Sequence, residues 1–275
     1  MLKIGALEDL ARRAARGHGE SSIAIIGCAS EETPAEWCPI DVAVFPEDEG
    51  QEIWRGGNSI IRVIRTRAPP IEEVPSMLIV DDPSMEAAAL KITWRDRAAE
   101  LVRGTARRLV IDGAESAAKG LEALGTPAAG YYAMKSYALT VAAAVAAAGR
   151  IPRPAHAVRQ ARALDVMPHA PPGELSHVKR TVETVRRILY SELDQEVEGY
   201  VFRRKAEALV ESGLLLDALV LAFHEISRRI GDDLALAHLR MDVDQEALRA
   251  FLPRIAEEES TIWRSIPAAD RPLDR

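Results

Sequence analysis

SSIAIIGCASEETPAEWCPIDVAVF, residues 21–45, decides how this chain folds. Ser22 to Ile26 is a short apolar run rich in isoleucine that ends at Gly27, which reads as a buried strand closing in a tight turn. A polar loop follows. A second apolar run, Ile40 to Phe45, takes a single carboxylate, Asp41, near its start. In a strand, residues i and i+2 share a face, so Asp41 lies with Ala43 and Phe45, and the residue two before it is Pro39.

Outward from this stretch, Leu7 to Arg16 places Leu7, Leu10 and Ala14 on one face with charges elsewhere, an amphipathic helix stopped by Gly17 and Gly19. Two more aliphatic runs read as strands, Ser59 to Thr66 and Met77 to Asp81, with Gly56-Gly57-Asn58 and Pro69-Pro70 as punctuation. After Pro83 the pattern changes to long Ala, Leu, Arg and Glu segments of helical spacing. Breaks are expected at Gly113, Thr126-Pro127, Ile151-Pro152, Pro168 to Gly173, Gly213 and Gly231. Strands followed by helices give an α+β class, with a small N-terminal mixed sheet flanked by helices and an all-helical C-terminal part. The expected domains are 1–112 and 113–275. Leu214, Leu215, Leu216, Leu219, Val220 and Leu221 are apolar almost all round, which implies deep burial. The amphipathic helices around them offer a face for a bundle or a homo-oligomer.

The chain has 275 residues, 48% of them hydrophobic and 28% charged, the composition of a soluble globular protein. A net charge of -7 argues against broad polyanion binding. Two cysteines, Cys28 and Cys38, make no disulfide framework and point to a reducing compartment. The N-terminal segment carries charge from its third residue and has no apolar signal core. The longest uncharged run, Ser136 to Gly149, is too short to span a bilayer, which needs about 20 residues. A cytoplasmic protein is expected. The six histidines form no pair at i, i+3 or i+4, and no P-loop, dinucleotide or nucleophile-elbow motif occurs.

The order of apolar strand, glycine, loop and acid-led apolar strand resembles the nucleotidyltransferase superfamily of the polymerase β type. That family carries Gly-Ser after the first strand and Asp-x-Asp at the head of the second. Here Cys28 stands in place of the serine, Pro39 in place of the first aspartate, and Asp41 matches the second. The resemblance implies Mg²⁺ held by strand carboxylates, an NTP as donor, and a small molecule or an RNA end as acceptor. Two divalent ions that hold a triphosphate and activate a hydroxyl need converging carboxylates. Asp41 and Asp81 are the expected catalytic and metal-binding residues, with Glu36 or Glu47 as substitutes if the loop differs in length.

Gly27, Cys28 and Ser30 are the expected nucleotide contacts, since a glycine turn lets backbone amides approach a phosphate. Lys135, in GYYAMKSYALTVAAAVAAAG (residues 130–149), is similar to the cation that meets the triphosphate in the family's helical domain, with Tyr131 and Tyr132 toward the base. Each has a plainer reading: Gly27 as a tight turn, Asp82 as a helix cap, Lys135 as a snorkelling side chain on a packing face. Asp242-Val243-Asp244 precedes a helix and reads as N-terminal capping. Pro39 and Cys28 favour an alternative to catalysis, in which a degenerate nucleotidyltransferase fold serves as a nucleotide-binding or assembly subunit.

Overall fold

The computed structural model describes residues 4–30, 38–56, 59–173, 175–193, 196–239, 241 and 243–267. The architecture is mixed α and β, with a five-stranded sheet early in the chain and mostly helices after it. Two compact units divide it, Met1–Ala99 and Glu100–Arg275.

In the first unit, α1 (Ile4–Ala14) precedes β1 (Ser22–Ile26), a short 3₁₀ turn over Gly27–Ser30, β2 (Ile40–Phe45), β3 (Gly50–Gly56), β4 (Ser59–Arg65), β5 (Leu78–Asp81) and α2 (Glu86–Arg95). The strand order is β3-β4-β2-β1-β5. β1 runs antiparallel to both β2 and β5, β3 is antiparallel to β4, and β2 and β4 are parallel. β3 escapes the sequence reading. GQEIWRG mixes charge and glycine with two large apolar residues, and as an edge strand it has no buried face strong enough to impose alternation.

Alternation sorts the central strands into two cores. Ile23, Ile25, Ile40, Val42, Val44, Ile61, Val63 and Val80 pack against Leu7, Leu10, Ala11 and Ala14 of α1. Ala24, Ile26, Ala43 and Phe45 pack on the other side with Met77, Val74 and Ala87 of α2. Both β1 and β2 are buried along their whole length, which is why they read as near-continuous apolar runs. Asp41 shares the α2-side parity of Ala43 and Phe45.

Asp82 anchors this arrangement at the far end of the sheet. Its carboxylate accepts the Ser22 hydroxyl (2.6 Å) and the amides of Ala87 (3.1 Å) and Ala88 (2.9 Å), tying the start of β1 to the first turn of α2. Burial raises its pKa, but these hydrogen bonds outweigh that and hold it below the usual carboxylate range. Asp82 is not the N-cap expected of it: the helix begins at Glu86 with Met85 at the N-cap, and Asp82 instead reaches the first-turn amides from three residues before that cap.

In the second unit, α3 (Ala98–Glu122), α4 (Pro127–Ala147), α5 (Ala157–Ala163), α6 (Leu175–Ser191), α7 (Glu196–Glu211), α8 (Leu215–Glu225), a π turn (Ile226–Ile230), α9 (Asp232–His238) and α10 (Gln245–Ser265) follow in order. Pro127 opens α4 behind Thr126, where proline costs no hydrogen bond. Gly113 does not break a helix. It lies buried in α3, whose course runs from Ala98 to Glu122. α4 is the hub of this unit. Tyr131, Tyr137, Val141 and most of its alanines are buried, and small side chains let α5, α8 and α10 approach it closely. Leu219, Val220 and Leu221 of α8 are buried as expected, whereas Leu214, Leu215 and Leu216 at its start are only partly buried. Asp244 caps α10 by accepting the amide of Glu246 (3.0 Å), while Asp242 lies outside the described residues. No described helix is long and apolar enough to cross a membrane.

Candidate functional site

The positions singled out in residues 21–45 converge at one end of the β1–β2 pair. In the parallel β2–β4 register Asp41 stands directly beside Arg62, and the two form a bidentate ion pair: Arg62 Nε donates to Oδ1 and Nη2 to Oδ2, both at 2.9 Å. Asp41 is 7% exposed. Its two oxygens therefore face a planar guanidinium whose fork matches a carboxylate.

Gly27 has φ +71, and a Cβ placed on it would lie 3.1 Å from Asp41 Oδ2. The close approach that glycine allows here is to the carboxylate of Asp41. The Gly27 amide donates to Glu73 Oε2 (3.0 Å), and the Gly27 carbonyl accepts the Ser30 hydroxyl (2.7 Å). Ser30 thus closes the 3₁₀ turn locally. Cys28 and Cys38 are half-buried.

Asp81 does not join this group. In the sheet register Asp41 is opposite Ile26 while Asp81 is opposite Ile23, on the strand flanking β1 from the other side. Three residues along the strand and two strand spacings across place the two backbones roughly 14 Å apart, too far to share a metal ion. Asp81 is exposed, and its carboxylate accepts the amide of Asp82 (3.1 Å). Glu47 accepts the Ser21 hydroxyl (2.7 Å) and meets His18 Nδ1 (3.1 Å), and these bonds, the serine's first, hold its pKa below the usual range. Glu36 lies outside the described residues.

Lys135 belongs to the second unit, where its ammonium meets Asp232 Oδ1 at 2.5 Å. The same oxygen accepts the Tyr131 hydroxyl (2.7 Å). Burial pushes the Asp232 carboxyl upward, but the bonds from Lys135 and Tyr131 outweigh it and leave its pKa lowered. Tyr131 is fully buried and packs against Phe223 with ring centroids 5.5 Å apart. Lys135 and Tyr131 together fix α9 to α4.

Arg62 and Glu73 are the members of the site that the sequence reading missed. A signal for Arg62 was present. In SIIRVIR the cation has the parity of Ile60 and Ile64, inside an aliphatic strand, and a cation there requires an acid across the sheet. Glu73 sits in the turn between β4 and β5, and nothing local distinguishes it from Glu72.

Compared with known protein families and with characterised proteins, the chain matches none.

Proposed function

We propose that this chain is a binding or assembly protein built on a nucleotidyltransferase-like sheet, and that it does not transfer nucleotides. The observation that carries this reading is the bidentate Arg62–Asp41 pair. Metal-assisted phosphoryl chemistry needs a second acid beside the first. At the neighbouring-strand position in register with Asp41, this chain has a cation. Mg²⁺ would have to displace Arg62 and leave it charged in a half-buried site, at a cost of several kcal/mol.

The proposed phosphate contacts point the same way. The Gly27 amide is bonded to an anion, Glu73, and the Lys135 ammonium to another, Asp232. A triphosphate at Gly27 would meet the carboxylates of Asp41 and Glu73 before it met a donor. An assembly role therefore fits better than a nucleotide-binding one. The competing reading, Mg²⁺-dependent transfer from an NTP to a small molecule or an RNA end through Asp41 and Asp81, requires a rearrangement that brings those two acids together.

Calorimetric titration with ATP, GTP, CTP and UTP, each with and without Mg²⁺, tests the choice. The expected result is no Mg²⁺-dependent binding of any of the four. Binding of one that needs Mg²⁺ and is lost in Asp41→Asn would overturn the proposal and restore the transferase reading.

A further inference from the structure

Glu259 of α10 is only 1% exposed, yet among the described residues no cation pairs with it. One oxygen, Oε1, accepts the hydroxyls of Ser136 (3.0 Å) and Thr140 (2.8 Å) from α4. It passes so close to α3 that a Cβ on Gly113 would sit 2.5 Å from it, so the glycine makes the space. The other oxygen, Oε2, is buried and has no hydrogen-bond partner among the described residues. An unsatisfied polar atom of this kind costs free energy unless something fills its place.

Glu259 also lines a cavity of about 310 Å³ between α3 and α10, with Oε2 buried just behind its largely apolar wall. The rest of the wall is Val110, Ile111 and Ala114 of α3 with Ala256, Ser260 and Trp263 of α10. Ile111 is 55% and Trp263 45% exposed, so two large apolar side chains stand at the rim. The volume is at the lower end of the range for small-molecule sites, about 300–1,000 Å³. Burial pushes the Glu259 carboxyl up to about 7, against the pull of the Thr140 and Ser136 hydroxyls. The charged group that acts on it is Glu258, of the same sign.

We propose that this groove binds a small apolar amine, whose ammonium pairs with Glu259 Oε2 while its hydrocarbon body lies along the α3 and α10 walls against Trp263. A purely apolar guest would leave Oε2 unsatisfied, and an anion would meet the Glu259 carboxyl. An alcohol donates one hydrogen bond but does not balance the charge. An ammonium does both, and an indole face favours a cation beside it. Below the carboxyl's own pKa the step releases one proton: the protonated acid and the ammonium give the ion pair and a proton to buffer. The proposal is independent of the role of the sheet.

The test is calorimetry on the full chain at about pH 6, where the acid is largely protonated, with phenethylamine, 2-phenylethanol and 3-phenylpropionate as probes. Two buffers of different ionisation enthalpy count the protons released. The amine is expected to bind at least about tenfold more tightly than the alcohol, as a charge-assisted bond should, with close to one proton released. Glu259→Gln should remove that advantage. Ala256→Phe, which fills the groove, should abolish binding of both. An alcohol that binds as well as the amine, an amine that does not bind, or amine binding that survives Ala256→Phe would each overturn the proposal. The wild-type comparison decides even if Glu259→Gln fails to fold.

Discussion

Asp41 in the sheet and Glu259 in the helical unit are both buried acids, but their surroundings are opposite. Asp41 meets a guanidinium that balances its charge and occupies both oxygens. Glu259 meets two hydroxyls on one oxygen and, among the described residues, no partner on the other. A buried carboxylate that is charge-matched is a structural tie, and its removal is felt as lost stability. One that is unmatched is a store of unfavourable free energy, which titrates or binds to relieve itself. The acid that the sequence marks as catalytic is the first kind; the acid it does not mark is the second.

The largest effect should come from unbalancing the sheet pair. Arg62→Ala leaves Asp41 buried without its cation and should lower unfolding free energy by about 3–5 kcal/mol, measured by urea denaturation. Replacing both together, Asp41→Leu with Arg62→Met, should recover most of that loss, because an apolar pair of similar volume avoids the desolvation cost. If the double variant is as unstable as the single one, the pair is more than an ion pair and the contrast with Glu259 fails.

Next is the pH dependence that Glu259 imposes. Its carboxyl titrates near the usual 4.5 when unfolded and at about 7 when folded, so between those values the folded chain holds a proton that the unfolded chain has lost. The contribution is fully present below pH 4.5, declines as pH rises, and is lost above about 7. The total is on the order of 3 kcal/mol. Glu259→Gln should flatten this segment of the stability curve. A wild-type curve that is flat from pH 4.5 to 7 would erase the difference between the two acids.

Two glycines of α3 give a smaller and more local comparison. Gly113→Ala drives a Cβ against Glu259 Oε1 and should cost about 1–3 kcal/mol. Gly104 has open space around its Cβ position, so Gly104→Ala should stabilise by about 0.5–1 kcal/mol through helix propensity alone. Thermal melts of the two variants should move in opposite directions. The smallest expected effect is that of Mg²⁺ on the wild type, where no change in melting temperature is predicted because Arg62 already binds both oxygens of Asp41. A rise that disappears in Asp41→Asn would show the cation being displaced.

Much of the fold was legible because it rests on short-range periodicity. SIAII and IDVAVF fall on β1 and β2 without adjustment, and the helix breaks at Pro127, Gly213 and Gly231 follow from backbone conformations that proline and glycine impose. β3 was missed because an exposed edge strand lacks a buried face. Gly113 was misread as a break because its reason is a carboxyl from α10, far away in sequence. The site was legible as residue types and not as contacts. Asp41 and Gly27 do lie together, but Asp81 lies on a strand two places away, and Lys135 spends its charge on Asp232.

By itself, then, the sequence determined the buried strands and most of the helices, though not the edge strand β3 or the unbroken course of α3, since hydrophobic alternation and capping are written within a few residues. Only the tertiary structure decided what stands beside each buried acid. The parallel β2–β4 register brings Arg62 to Asp41, and the packing of α10 on α3 and α4 leaves Glu259 without a cation among the described residues. Those neighbours come from distant parts of the chain, and the free energy of a buried charge depends on them far more than on the residues next to it in sequence.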